Sequence, residues 1–367
     1  MPQIEYLNRC QVCNGELDDL IALNLNTLSF NHLTCMRGIY EINSYFVRVD
    51  KCKNCGKEIL VHYTNSTKNK DVYCEQCISS FVSLCDNCHR IIIPQEDNTL
   101  HGNSYCEQCY NRLCTDVMDY SFIPKDFNKY GSADLLGTAL FFGLELELDC
   151  RTSSLKKVFL KDLDRKVWIP KFDSSIPEYG VEIVSYPMTY SYLISKKNDI
   201  NRLLNIAVEH GMRSGDVNNC GMHIHMSSNA FGVFHLWKYM RFVYHRHNRT
   251  FIRDVSHRTD NSLSRWASLN DTNSNIKQRA KRKEQLIDRH HAINISHHNT
   301  IETRIFEGTL DTVAFWANVE FCLSLYHYTK KCTAKELGYE PYINYLREHK
   351  KNYENLCEIL KSYLTSE

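Results

Sequence analysis

The sequence predicts an α+β protein preceded by a run of small zinc-ribbon units. Three observations carry this. Short segments alternate strictly between apolar and polar residues, as strands do. Between and after them lie stretches with the apolar periodicity of helices. Twelve of the 17 cysteines fall before residue 115, where they stand in metal-ligand spacing.

The cysteines come first in the chain. Most form C-x2-C pairs: Cys10/Cys13, Cys52/Cys55, Cys74/Cys77, Cys85/Cys88 and Cys106/Cys109. Such a step brings two thiolates to one ion, and a second pair completes a tetrahedron. Eighteen residues separate Cys55 from Cys74, and 17 separate Cys88 from Cys106. The two units repeat each other, KCKNCG leading to VYCEQC and LCDNCH leading to SYCEQC. Each is therefore expected to close its own zinc site. A further unit pairs Cys10 and Cys13 with His32 and Cys35, again after 18 residues. The alternative there is a free C-x2-C turn beside a core histidine. The units fall at about residues 8–37, 50–80 and 83–112, within an array over 1–115. Modules this small bury too little apolar surface to fold unaided, so the metal supplies folding energy. Four protein ligands leave no open position for chemistry. The array reads as a docking module for a protein or nucleic-acid partner.

Residues 116–137 mix Pro124, Gly131 and Gly137 with charged and aromatic residues, without periodicity, and read as a linker. A second domain is expected over 138–330, with a helical segment over 331–367. Asp199–His210 reads as a helix through Leu203, Leu204, Ile206, Ala207 and Val208. Residues 230–247 and 312–330 read as two more, the latter with a stripe of Val313, Trp316, Val319, Cys322 and Leu323. Residues 345–363 read as a closing helix.

Three strands carry chemistry. In a strand, residues two apart share a face. Glu145 and Glu147 thus share one, with Leu144, Leu146 and Leu148 behind. His223, His225 and Ser227 share one, with Met222, Ile224 and Met226 behind. Glu302 and Arg304 share one, with Ile301, Thr303 and Ile305 behind. Paired carboxylates repel unless a cation or donors neutralise them, and hard cations take oxygen ligands. The alternative is a solvated sheet face. Arg304 offers a planar fork suited to carboxylate or phosphate; its alternative is a salt bridge to Glu302, although their Cα atoms sit about 7 Å apart along a strand.

Together these segments resemble a known family. Residues 142–149 (FGLELELD), Asp173-Ser-Ser, 181–187 (VEIVSYP), 221–227 (GMHIHMS), Asn294 and 300–309 (TIETRIFEGT) occur in the order of the amidoligases, a branch of the glutamine synthetase-like carboxylate–amine ligase superfamily. The resemblance covers about residues 138–330. It implies a glutamine synthetase-like catalytic domain with a mainly antiparallel sheet whose concave face holds the site. It implies ATP and magnesium as cofactors, with Glu145 and Glu147 on two different ions. Glu182 joins one ion, and His223 with Glu302 the other. His225, Ser227, Arg289 and Asn294 fall at nucleotide-contacting or lead-in positions. Asp173 positions the incoming amine, unless the Asp-Ser-Ser segment simply builds a turn. Arg304 stabilises the transferred phosphoryl group. The implied reaction is ATP-dependent amide formation through an acyl phosphate, with an amino acid, peptide or protein as substrate.

Two other readings stay open: a non-catalytic adaptor that binds protein or nucleic acid, and a metal-dependent hydrolase built on His223 and His225. Formal net charge is +1, so no whole-protein argument favours nucleic acid. Residues 241–289 are locally basic, with 12 Lys or Arg against 5 acids. No run of 18 apolar residues occurs, and residues 1–10 lack the apolar core of a signal peptide. A reducing, cytoplasmic setting and no membrane partner are expected, with the cysteines on metal rather than in disulfides.

Overall fold

A computed structural model of the protein describes residues 21–24, 29–32, 46–61, 83–88, 91–92, 98–100, 103–113, 115–124, 129–132, 140–215, 220–284, 290–297 and 299–365. The chain divides into two compact units, Met1–Cys114 and Thr115–Glu367.

The first unit is made of short antiparallel pairings. Strands β1 (Ile21–Asn24), β2 (Ser29–His32), β3 (Phe46–Lys51) and β4 (Glu58–Val61) form a sheet in the order β2-β1-β3-β4. Strand β5 (Ser83–Leu84) pairs with β6 (Ile91–Ile92), and β7 (Asn98–Leu100) with β8 (Asn103–Tyr105), before a helix over Glu107–Leu113. The β3–β4 turn carries the Cys52/Cys55 pair. The Cys52 N–H donates to the Lys57 carbonyl and the Gly56 N–H to the Cys52 carbonyl, both at 2.8 Å. Gly56 sits at φ +72°, a left-handed conformation that a side chain would strain.

The second unit is built on an eight-stranded sheet: β9 (Phe141–Cys150), β10 (Trp168–Lys171), β11 (Val181–Ser185), β12 (Met188–Thr189), β13 (Met212–Arg213), β14 (Gly221–Ser227), β15 (Ile293–Asn294) and β16 (Thr300–Glu307). Its order is β10-β11-β9-β14-β16-β15, with β12 and β13 on the two ends of β9, and every pairing is antiparallel. With these strands and the helices beside them, the unit is α+β. The alternation seen in the sequence sets the faces. Leu144, Leu146, Leu148, Met222, Ile224, Met226, Ile301 and Ile305 are all buried. Each contributes roughly 1.5–3 kcal/mol of burial free energy.

Helices cover that apolar face. Tyr239, from the helix Val233–Val243, hydrogen-bonds its hydroxyl to Thr303 Oγ1 at 3.0 Å. Asn318, from Thr312–Lys331, reaches Met222 Sδ at 3.5 Å. Thr312–Lys331 starts at Asp311, whose carboxylate accepts from the Ala314 N–H at 2.8 Å. It is buried on nearly all sides rather than along one stripe, as a helix apolar all round should be. Trp316 Nε1 donates to Asn201 Oδ1 at 2.7 Å, tying it to the helix Lys197–Glu209. No helix among the described residues is long and apolar enough to cross a membrane.

Two local expectations change. Residues 345–363 are not one helix. Tyr339–Glu348, Glu354–Ile359 and Lys361–Thr365 are separate, broken where His349 (φ −113°) and Tyr353 (φ −142°) leave helical geometry. Around the break Tyr345 stacks on His349 with centroids 4.2 Å apart, and the Tyr345 and Tyr353 hydroxyls meet at 3.1 Å. The stretch read as a linker is partly built into the second unit's sheet. The Met118 N–H donates to the Pro170 carbonyl and the Tyr130 N–H to the Pro187 carbonyl, each at 2.9 Å. Tyr130 also stacks on Tyr192.

Candidate active site

Strand register brings the polar faces together. Across the sheet Glu182 stands opposite Glu147, His223 opposite Glu145, His225 opposite Glu302, and Glu302 opposite Asn294. Glu147, Glu182, His223, Asn294 and Glu302 are all buried. His223 is central. Its Nδ1 lies 3.3 Å from Glu145 Oε2 and 3.4 Å from Glu302 Oε1, and its Nε2 lies 4.0 Å from Glu147 Oε1. His225 places Nε2 at 3.0 Å from Glu145 Oε1 and Nδ1 at 3.1 Å from Thr300 Oγ1. The Gly221 N–H donates to Glu147 Oε2 at 2.5 Å, and Asn294 Nδ2 donates to Glu302 Oε2 at 2.7 Å.

Two groups of donors have ligand atoms within 4.8 Å of one another: Glu145, His223 and Glu302, and Glu147, Glu182 and His223. They share one imidazole and otherwise offer carboxylate oxygens, a set that fits hard divalent cations. His225 belongs to neither group. Among the described residues no such group contains both histidines, on which the hydrolase reading rests.

The electrostatics fit a face short of positive charge. Burial pushes the Glu182 carboxyl well above its ordinary range, and Glu145, Glu147 and Asp173 add to the shift. Burial also raises Glu147, against the opposing pull of His223 and the Gly221 N–H. Burial works against charge on Glu145, yet His225 and His223 overcome it and hold that carboxyl well below its usual range. Glu302 is likewise lowered despite burial, by His225, Arg304 and His223. His225 is pushed up to about 9, because Glu145 and Glu302 outweigh its burial.

The remaining sequence-derived candidates are placed as follows. Arg304 Nη1 hydrogen-bonds Glu302 Oε1. The salt bridge held open as the alternative is thus present, the long side chain spanning the distance between the two Cα atoms. Ser227 Oγ accepts from the Phe141 N–H at 3.0 Å, joining β14 to the start of β9. Asp173 Oδ1 accepts from the Ser175 N–H at 2.6 Å, so Asp-Ser-Ser does build a turn, while Asp173 still raises Glu147 and Glu182. Arg289 lies outside the described residues. Two open cavities of the second unit, about 410 and 770 Å³, are lined by other residues.

Arg258 was not singled out in the sequence. It is buried, and Glu147 and Glu307 are the carboxylates that act most strongly on its charge. It follows the helix Arg249–Ser256 and matches no short motif. Its one sequence signal was membership of the basic run over 241–289.

In the first unit, Cys85, Cys88, Cys106 and Cys109 bring four sulfurs within 4.8 Å of one another. Cys88 Sγ and Cys106 Sγ are 3.8 Å apart. Tetrahedral zinc–sulfur bonds of about 2.3 Å place sulfurs roughly that far apart, so the donors fit zinc. Burial raises the Cys85 thiol, but backbone N–H groups of Cys106, Cys88 and Asn87 bring it down to about 6, favouring the thiolate. Cys52 and Cys55 flank their turn, whereas Cys10, Cys13, Cys35, Cys74 and Cys77 and the His32 side chain lie outside the described residues. Metal analysis of purified protein should find zinc, and a Cys85→Ser/Cys106→Ser variant should carry about one ion less per chain. Equal zinc content in the two proteins would contradict this assignment.

Comparison with known proteins bears on the second unit. No curated protein matched the chain. A protein-family model described as "putative amidoligase enzyme" matches residues 129–326, more than half of the chain and the whole of the polar sheet face just described. The chain belongs to the amidoligase family.

Proposed function

We propose that the protein is an ATP-dependent carboxylate–amine ligase of glutamine synthetase-like design, with the cysteine-rich unit as a zinc-stabilised docking module. The observation that carries this is the pair of donor groups meeting at His223, with Arg304 alongside. One sheet face then offers oxygen-rich sites for two divalent ions and a guanidinium for an oxyanion.

In this reading Glu145, His223 and Glu302 would hold one ion, and Glu147 with Glu182 the other. Magnesium, when bound, supplies charge neutralisation at the nucleotide phosphates. The protein's part is positioning and electrostatics. Asn294 fixes Glu302 by its 2.7 Å hydrogen bond, and the Gly221 N–H fixes Glu147. His225 and Ser227 stand on the nucleotide side of β14. A substrate carboxylate oxygen attacks the γ-phosphorus, and the bond to ADP breaks. The amine nitrogen then attacks the acyl carbon, phosphate departs, and nitrogen loses a proton. Arg304 meets the charge on the transferred group. The substrate class is an amino acid, peptide or protein, and the zinc module recruits it or a partner.

The test is ADP release in the presence of hydroxylamine, across amino acids and short peptides with magnesium. Hydroxamate and ADP appearing in equal amounts is the expected result. Substrate cleavage without nucleotide would favour a hydrolase instead and overturn the ligase reading.

A further inference from the structure

We propose that Arg258 is a second anion-binding guanidinium of this site, set beside Glu147 to receive a phosphoryl or carboxylate oxyanion of the substrate. The inference rests on the reading that the polar face holds divalent cations, and it adds the group that would recognise the anion they share.

The chain is shaped to deliver this side chain. The helix Arg249–Ser256 ends on His257, in the left-handed conformation at φ 56°. That residue turns the chain back. The Arg258 N–H donates to Ser256 Oγ at 3.2 Å, and Arg258 Nη1 donates to Ser262 Oγ at 2.9 Å. The guanidinium is thereby aimed at β14. The side chain is only 5 % exposed, yet its Nε has no hydrogen-bond partner among the described residues. A buried donor left unpaired is costly and calls for a reason.

Gly221 adds a second observation. A Cβ at that position would lie 2.6 Å from Arg258 Nη2, 3.2 Å from His223 Nε2 and 3.4 Å from Glu147 Oε2. The guanidinium, the shared imidazole and a carboxylate oxygen thus converge on one point that only a glycine leaves open. A side chain there would push the Arg258 Nη2 group out of its present position.

A charge argument gives the role. A cation packed beside Glu147 repels a divalent ion at that carboxylate, so it is counterproductive if ion binding were the whole task. It becomes productive when an oxyanion bridges the ion and the guanidinium, since the planar fork matches carboxylate or phosphate oxygens. The rival role is purely structural, with Arg258 neutralising Glu147 and holding it in place. The two roles differ in sign. If Arg258 positions Glu147, removing it weakens cation binding. If it receives an anion, removing it leaves cation binding unchanged or tighter, and weakens the anion.

The experiment compares the full chain with Arg258→Met, Arg258→Lys and Gly221→Ala by isothermal titration. Magnesium is titrated alone, then pyrophosphate and glutamate, each with and without magnesium. Arg258→Met should keep or improve magnesium affinity and lose roughly 10–100-fold in anion affinity. Lysine should recover part of that loss, and Gly221→Ala should weaken the anion in the same direction. A loss confined to pyrophosphate assigns the guanidinium to the phosphoryl group; a loss confined to glutamate assigns it to the carboxylate. Anion binding unchanged in all three variants, or magnesium weakened by Arg258→Met, overturns the proposal. Should Arg258→Met not fold, the Lys and Gly221→Ala variants carry the same comparison. If wild-type protein binds no magnesium, the ion reading fails by itself, and the metal-free anion titrations still decide Arg258.

Discussion

Arg304→Ala should slow amide formation roughly 10²–10³-fold, the usual effect of removing one donor aimed at developing charge. Arg304 Nη1 is bonded to Glu302, but its Nε is buried and has no hydrogen-bond partner among the described residues. Its guanidinium therefore keeps donor capacity for a ligand. The loss should fall on kcat more than on KM for ATP, since the interaction strengthens as phosphoryl transfer proceeds. Lysine should restore only part of the rate, because a point charge does not reproduce the fork. Steady-state kinetics of ADP release on folded variants read both quantities. An unchanged kcat would remove Arg304 from the reaction.

Asp271→Ala should destabilise the second unit by about 3–5 kcal/mol, the range for leaving a buried charge without its partner. Asp271 and Arg279 form an ion pair in which both side chains are wholly buried. Arg279 also donates to the Ile293 carbonyl and, at 3.4 Å, to the Tyr244 hydroxyl. The Ile293 N–H in turn donates to that hydroxyl at 3.0 Å. Ile293 directly precedes Asn294, which holds Glu302. The pair therefore anchors the edge strand that supports the site. Replacing both partners, as in Asp271→Ala/Arg279→Met, should recover much of the loss, since no buried charge is then stranded. Urea denaturation with comparable m-values measures it. A shift below about 1 kcal/mol for Asp271→Ala would contradict this role.

Alternation made the polar sheet legible before any coordinates. Glu145/Glu147, His223/His225 and Glu302/Arg304 are two residues apart on strands whose other faces are apolar, and a period of two leaves one arrangement. The long helix Thr312–Lys331 was legible through its stripe of Val313, Trp316, Val319, Cys322 and Leu323. What escaped depends on contacts between distant segments. Arg258 reaches Gly221 through a left-handed turn that no spacing announces. The break in 345–363 falls at His349 and Tyr353, where no proline or glycine announces it. Met118 and Tyr130 join the sheet through single bridges too short to show periodicity.

The central claim is that one sheet face binds divalent ions that in turn hold a nucleotide. It is tested most directly by the magnesium dependence of ATP binding, measured by isothermal titration on the wild type and on Glu147→Gln. Glu147 faces Glu182 across the strands and shares His223 with the other donor group, so its neutral isostere removes a charge from one ion site with little change in shape. The account predicts ATP binding that needs magnesium in the wild type and is weakened at least about tenfold in the variant, as for losing one charged ligand. Magnesium-independent ATP binding, or equal affinity in the two proteins, would contradict it.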